Sequence, residues 1–92
     1  MHDTQSPVQE EGRLSEVMIG AAQCRGARAM IGWSQAQLAK AAKVSRPTLV
    51  DFERGARTPY PNNLAAIRAA LEAAGVEFTD GDAPGVRLRA HP

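Results

Sequence analysis

Apolar positions recur every three to four residues through the middle of the chain, which is the period of an amphipathic helix. Two such groups follow each other closely: Leu38, Ala39 and Ala42, then Leu49 and Phe52. Each group fits a helix of about two turns. The pattern therefore predicts two short helices, one directly after the other, between residues 34 and 53.

Capping residues indicate where these two helices begin. Ser34 is a favourable N-cap, and Gln37 three residues later completes a capping box. Ser45 is a second N-cap, followed by Pro47 in the first turn, where the missing N–H of proline would have no partner anyway. Lys43 lies in the turn between them. The sequence thus predicts two helices joined by a tight turn.

Further helices are predicted on both sides of this pair. An upstream stripe at helical spacing predicts a first helix, which Gly32 ends. The members of that stripe are Leu14, Val17, Met18, Ala21, Cys24 and Ile31. Downstream, Asn62 or Asn63 is expected to cap a last helix over about 62 to 74, with Gly75 as its stop. The apolar side of that helix consists of Leu64, Ile67 and Leu71.

The end of the sequence changes from helical to alternating spacing. Residues 76–79 and 86–89 alternate apolar and polar side chains, and the residues between them are typical of a turn. Two short strands are expected, with an apolar face made of Val76, Phe78, Val86 and Leu88. Nothing in the ribbon itself covers this face, so we expect it to form a dimer by joining or exchanging strands with a second copy. The alternative is a ribbon that folds back on the last helix of its own chain.

Length and charge place this pattern in one small domain. The chain has 92 residues, enough for a single core. We expect a disordered tail over 1–12, a four-helix domain over 13–75 and a strand extension over 76–92. Residues 13–57 carry a net charge of +5, although the whole chain carries only +1. The positive charge thus lies with the central helices, as binding to phosphates requires.

Composition gives little support to catalysis or to a membrane protein. Cys24 is the single cysteine, so no internal disulfide can form and a reducing compartment is expected. No His or Cys spacing suits a metal and no glycine-rich loop suits a phosphate, so we expect neither enzyme activity nor a cofactor. No apolar run could span a bilayer, and the amino terminus lacks a signal-peptide pattern. We expect a cytoplasmic protein without a small-molecule ligand.

Three segments resemble the phage-repressor-like helix-turn-helix family, of the Cro or xenobiotic-response-element type: residues 33–39 (WSQAQLA), 44–49 (VSRPTL) and 52–59 (FERGARTP). The resemblance covers roughly residues 13 to 75. One position departs from the family pattern, because Lys43 stands in the turn where glycine is frequent. A left-handed conformation there has a modest steric cost for lysine, and it would bring a cation close to a phosphate.

Together with the ribbon, the resemblance implies a mostly α fold: a compact four-helix repressor-like domain with a short C-terminal β-ribbon. It implies binding to double-stranded DNA through the second helix of the motif. It also implies a partner for Arg28, which lies on the inward stripe of the first helix, where an unpaired charge is unfavourable. That partner is Glu53, and the pair is expected to stabilise the fold.

The residues expected at the DNA differ in their roles. Arg46 is the best base reader, since arginine can form two hydrogen bonds with guanine. Pro47 and Val50 could pack on thymine methyl groups. Asp51 could accept from cytosine, or it could only orient Arg54 one turn later. Contacts with the DNA backbone are expected from Gln35, Lys43, Ser45, Thr48 and Arg57.

Two functions fit this pattern. The leading one is a bacterial transcriptional regulator, a homodimer that reads a pseudo-palindromic operator through the major groove with a recognition helix at about 45–53. The alternative is an antitoxin or another protein-interaction module whose helix-turn-helix binds its own promoter. An antitoxin tail is usually disordered until it is bound, whereas a dimerisation ribbon is ordered in the isolated chain. No residue indicates a particular protein partner.

Overall fold

The computed structural model describes residues 18–79 and 84–89. Within them the chain forms four helices and a two-stranded antiparallel sheet: α1 (Ala21–Ile31), α2 (Gln35–Ala42), α3 (Arg46–Glu53), α4 (Pro61–Ala73), β1 (Val76–Thr79) and β2 (Gly85–Leu88). The predicted mostly α fold with a short carboxy-terminal ribbon is confirmed. The predicted tail over 1–12, together with Leu14 and Val17, lies outside the described residues. None of the described helices is both long and apolar enough to cross a bilayer.

The two helices of the motif begin at the capping residues that the sequence predicts, Ser34 and Ser45. The Ser34 hydroxyl accepts a hydrogen bond from the Gln37 backbone N–H (3.1 Å), and the Gln37 side chain accepts one from the Ser34 N–H (2.7 Å). The Ser45 hydroxyl caps α3 by accepting from the Thr48 N–H (3.2 Å). Lys43 ends α2 with a φ of 60°. The turn therefore does place lysine in the left-handed region that glycine adopts most easily.

The first helix begins later than its apolar stripe predicts. The three described residues before it are not helical, and Gly20 precedes its first turn in an extended conformation, with its N–H bound to the Gln23 side chain (2.8 Å). Successive side chains point to opposite sides in extended backbone, so the helical spacing does not continue through this segment. As a result Met18, predicted to face inward, is 43% exposed, and Ile19 is buried instead.

The last helix begins earlier than an asparagine cap would allow, and neither Asn62 nor Asn63 caps it. Tyr60 occupies the N-cap position and Pro61 the first helical position. Proline is favoured there because its fixed φ suits the first turn and its missing N–H has no partner within the helix. The helix ends at Ala73, and its predicted apolar side is buried: Leu64, Ile67 and Leu71.

All four helices and the first strand contribute to one core. Helix α3 packs against α1 and α2, and α4 packs mainly against α2. The buried apolar residues are Ile19, Cys24, Ala27, Leu38, Ala39, Ala42, Leu49, Phe52, Leu64, Ile67, Leu71 and Val76. Helix α3 is therefore held on its inner side by two neighbouring helices, while its other side meets solvent.

The apolar face of the ribbon is covered by the same chain. Strands β1 and β2 pair with Val76 opposite Leu88 and with Phe78 opposite Val86. Val76 is fully buried, and Phe78 and Val86 pack against the core. The expectation that this face is left uncovered is therefore wrong for three of its four residues, and Leu88 remains 52% exposed.

Helix α1 covers the ribbon, with Gly26 at the contact. A Cβ placed on Gly26 would lie 3.4 Å from Val86 Cγ2, which is already van der Waals contact. One turn earlier, the Gln23 side chain donates to the carbonyls of Thr79 (3.3 Å) and Gly85 (3.1 Å). Periodicity shows which side of an element is apolar, but it does not show which other element will cover that side.

Candidate nucleic-acid interface

Helix α3 has one side fixed in the core and one side turned to solvent. Leu49 and Phe52 are buried, with 0% and 5% of their surface exposed. The opposite side carries the residues expected to face DNA: Arg46, Pro47 and Arg54 are exposed, and Val50 and Asp51 are half-buried. The buried side keeps the helix rigid, so the outer side can be presented to a partner in one orientation.

The amino terminus of α3 carries two linked hydroxyl groups. Besides capping the helix, Ser45 donates its hydroxyl hydrogen to Thr48 Oγ1 at 2.7 Å. The hydroxyl of Thr48 accepts this bond, so its own hydrogen remains available to a further acceptor. Nearby, Lys43 is exposed in the turn. A hydroxyl donor and a cation thus flank the start of the helix, where its dipole also favours anions.

Asp51 and Arg54 form an ion pair on the outer side of α3. Asp51 Oδ1 accepts from Arg54 Nε (3.2 Å) and from Arg54 Nη2 (3.1 Å). Both side chains are accessible, with 34% of Asp51 and 66% of Arg54 exposed. In the unbound chain, therefore, the Asp51 carboxylate holds Arg54, which was one of its two expected roles.

Beneath this surface, Glu53 is a charged residue buried in the core, only 2% exposed. Arg28 donates to both of its oxygens, from Nε to Oε2 at 2.7 Å and from Nη2 to Oε1 at 2.8 Å. The ion pair expected between these residues is thus present, in the two-pronged geometry that arginine forms with carboxylates. It joins α1 to the end of α3.

Two further side chains donate to the same carboxylate. Gln35 Nε2 lies 3.0 Å from Glu53 Oε1, and Cys24 Sγ lies 3.1 Å from Glu53 Oε2. Arg28 also donates from Nη1 to the Trp33 carbonyl (2.9 Å). We refer to Cys24, Arg28, Gln35 and Glu53 as the polar cluster. The sequence did not indicate that Gln35 belongs to it, because the bond joins residues on different helices.

The polar cluster shifts the ionisation of its members. Burial alone would raise the pKa of Glu53, but hydrogen bonds from Arg28, Gln35 and Cys24, together with the charge of Arg28, hold it below its usual value. The hydrogen bond to Glu53 raises the pKa of Arg28. Burial, with the neighbouring Glu53, raises the pKa of the Cys24 thiol, which therefore stays protonated and unreactive.

The lowered pKa of Glu53 predicts a pH dependence of stability. A carboxyl group with a lower pKa in the folded state stabilises the protein above its unfolded pKa, which is 4.5 for this group, and loses that contribution as pH falls through the folded value. The stability difference between the parent and Glu53→Gln should therefore shrink between neutral pH and about pH 3. Urea unfolding of both proteins at the two pH values measures this, and a constant difference would contradict it.

Sequence reasoning missed part of a cavity beside the recognition helix. This cavity of about 300 Å³ is lined by Thr48, Arg57, Thr58, Pro59, Tyr60 and Asn63. Thr48 and Arg57 were expected to contact DNA, whereas Thr58, Tyr60 and Asn63 were not. Tyr60 is 78% exposed. These residues lie at or just before the amino terminus of α4. The first backbone N–H groups of a helix have no partner within it and can bind an anion, and this property could have identified the residues from the sequence.

Comparison with known families agrees with this geometry. The fold and the exposed face of α3 define a helix-turn-helix protein. A family model described as helix-turn-helix, of the Cro/XRE type, matches residues 25–77, which is more than half of the chain. The chain therefore belongs to this family of DNA-binding regulators, whose members are generally not enzymes. A search among curated proteins found no significant match.

Proposed function

We propose that this chain is a sequence-specific transcriptional regulator that binds its operator as a homodimer, with α3 in the major groove of each half-site. The observation that carries the proposal is the two-sided character of α3. Leu49 and Phe52 lock its inner side in the core, and Arg46 and Pro47 are presented to solvent. An α-helix fits the major groove, where base edges offer donors, acceptors and methyl groups.

Arg46 is the proposed base reader. It is the first residue of α3, it is exposed, and no described residue forms an ion pair with it. Its guanidinium is therefore available for two hydrogen bonds to guanine. Pro47 and Val50, on the same face, are proposed to pack on thymine methyl groups. The ion pair between Asp51 and Arg54 supports an orienting role for Asp51 rather than a contact with cytosine.

Contacts with the DNA backbone are proposed for a ring of residues around α3. Gln35 begins α2, where the amino terminus of a helix favours a phosphate. The other members of the ring are Lys43, Ser45, Thr48 and Arg57. All four are exposed or half-buried. Such contacts supply affinity that does not depend on sequence and that falls with salt concentration.

The homodimer is proposed to form through the ribbon. Two half-sites one helical turn apart place the recognition helices about 34 Å from each other, so the two chains need a fixed interface. Leu88 is an exposed apolar residue on the ribbon. The described part of the sheet has two strands, so each strand has an outer edge that could pair with a second chain. Exposed apolar surface and strand edges together favour this element as the interface.

The antitoxin alternative is less well supported. An antitoxin tail that orders only on its toxin would have no reason to bury residues in its own domain. Val76 is fully buried in the core of the same chain, and Val86 packs against it. A ribbon that belongs to the domain favours a regulator.

The base-reading role of Arg46 can be tested with DNA selected from a random pool by the parent protein. Arg46→Ala is expected to weaken binding to the selected duplex by about 1–3 kcal/mol and to relax the preference at one base position. Lys40→Ala is the matched control, since Lys40 is another exposed cation, on α2 and outside the proposed interface. Fluorescence anisotropy titrations on the selected and on a scrambled duplex measure both variants. Equal losses on the two duplexes for Arg46→Ala would exclude base reading.

The dimer interface can be tested at Leu88. Leu88→Glu is expected to convert the dimer to a monomer, because a charge would have to be buried at the interface. The fold should be retained, since exposed substitutions change stability by about 0.5 kcal/mol or less. Sedimentation velocity measures the oligomeric state. Met18→Glu, at an exposed apolar residue beside the loop after α3, is the control. A Leu88→Glu protein that is still dimeric would place the interface elsewhere.

A further inference from the structure

The Glu53 carboxylate has a bond that an ion pair does not require. Gln35 is the first residue of α2, and its Nε2 donates to Glu53 Oε1 at 3.0 Å. Gln35 is half-buried, so its side chain meets both the polar cluster and solvent. The same residue is proposed to contact a DNA phosphate. One amide group therefore connects the buried charge to the DNA-binding surface.

This bond determines which way the amide of Gln35 faces. An ionised carboxylate can only accept hydrogen bonds, so it selects the nitrogen end of the amide and turns the amide oxygen away from itself. The same nitrogen carries a second N–H, which Glu53 does not use. An amide without this partner could rotate and direct its oxygen toward a phosphate, which would be repulsive.

The backbone at the start of α2 is tied to the same cluster. Arg28, which holds Glu53, also donates to the Trp33 carbonyl at 2.9 Å, two residues before Gln35. The Ser34 hydroxyl accepts a hydrogen bond from the N–H of Gln37. The first N–H groups of a helix have no intrahelical partner and can bind an anion. At this end of α2, therefore, Glu53 holds the Gln35 side chain and Arg28 holds the backbone at Trp33.

We propose that Glu53 is a positioning residue for DNA binding: through its hydrogen bond it holds the amide of Gln35 with an N–H group available to the phosphate at the start of α2. This inference rests on the proposed function, in which Gln35 contacts that phosphate. Glu53 itself does not touch DNA. Its effect on affinity passes through Gln35, so the two residues must be energetically coupled in DNA binding.

A double-mutant cycle tests this coupling. Gln35→Ala is made in the parent and in the variant that combines Arg28→Met with Glu53→Met. The combined variant replaces both charges by apolar groups, a change that folded proteins often tolerate. The probe is a fluorescein-labelled duplex of mixed sequence, titrated by anisotropy at several salt concentrations. Cys24→Ala is the matched control, because it removes another hydrogen bond to the same carboxylate but leaves the bond to Gln35 in place.

In the parent, Gln35→Ala should weaken binding about tenfold, as expected for one hydrogen bond to a charged group. Removing the ion pair should weaken binding about threefold, since the amide must then be ordered at the phosphate. In that background Gln35→Ala should weaken binding only about threefold, because the combined variant has already lost about threefold of the tenfold contribution that the amide makes in the parent. Cys24→Ala should bind as the parent does. The slope of affinity against salt should be the same in all variants, because Gln35 carries no charge.

The possible failures are distinguishable. If Gln35→Ala loses about tenfold in both backgrounds, the phosphate contact is real and the positioning role is wrong. If Gln35→Ala has no effect in the parent, the proposed phosphate contact is wrong, and the positioning role falls with it. If the combined variant does not fold, NMR relaxation of the Gln35 side-chain amide in the free parent decides: an order parameter below about 0.6 would mean a mobile amide and would overturn the proposal.

Discussion

Replacing Glu53 by glutamine is expected to lower the free energy of unfolding by about 3–5 kcal/mol. The carboxylate accepts four hydrogen bonds, two from Arg28 and one each from Gln35 and Cys24. A glutamine amide has a single acceptor oxygen, and its NH₂ group would face donors. The guanidinium of Arg28 would lose its counter-charge while its side chain remains only 19% exposed. Urea unfolding at neutral pH, followed by circular dichroism, measures the change.

Asp51→Asn provides the control for this prediction. It also converts an acid to its amide, also on α3, and it also removes an ion pair with arginine. The pair between Asp51 and Arg54 is accessible to solvent, so its loss should change stability by about 0–1 kcal/mol. Both variants lose one negative charge, so the difference between their free energies of unfolding measures the effect of burying the ion pair. Midpoints for Glu53→Gln and Asp51→Asn that both equal the parent midpoint would mean that the buried pair does not stabilise the fold.

The parts of the fold that the sequence predicted correctly are those determined locally. The caps at Ser34 and Ser45 act within one helical turn, and so does the left-handed turn at Lys43. The antiparallel ribbon was likewise predicted from local features, the alternation of apolar and polar side chains and the turn residues between the strands.

The predicted start of α1 was too early. Apolar residues continue at helical spacing on both sides of Gly20, so the sequence does not show that the backbone is extended there. For α4, the strong preference of Pro61 for the first turn outweighed two good capping residues.

Contacts between elements distant in the sequence could not be predicted in the same way. Gln35 and Glu53 meet because α2 and α3 cross at the turn, and the spacing of residues along one helix does not describe that crossing. Helix α1 covers the ribbon at Gln23 and Gly26, and the spacing of residues along α1 does not indicate this contact. The ion pair of Arg28 with Glu53 was expected only because the chain resembles a known family. Only that resemblance predicted a side-chain contact between helices distant in the sequence.

Truncation after Gly75 is expected to destabilise the domain itself. It removes Val76, which is fully buried, and the partly buried Phe78 and Val86. Burying one such side chain contributes about 1.5–3 kcal/mol, against a total stability of about 5–15 kcal/mol for a typical domain. The truncation also removes the Phe78 ring, whose centre lies 5.4 Å from the guanidinium carbon of Arg68. Thermal unfolding followed by circular dichroism should show a large fall in melting temperature. An unchanged melting temperature would mean that the ribbon does not stabilise the core.

This result decides how the ribbon should be tested as a dimer interface. If truncation unfolds part of the domain, a truncated protein that no longer binds DNA says nothing about dimerisation, because α3 loses the core that orients it. Leu88→Glu avoids this ambiguity, since Leu88 is 52% exposed and its replacement leaves the buried residues of the ribbon in place. The two variants should therefore differ in their effects. Truncation lowers the melting temperature at every protein concentration, whereas Leu88→Glu changes the sedimentation coefficient and removes only the concentration-dependent part of the melting temperature that dimerisation contributes. A large fall in melting temperature for Leu88→Glu at a protein concentration where the parent is also monomeric would instead show that this side chain stabilises the fold of the single chain.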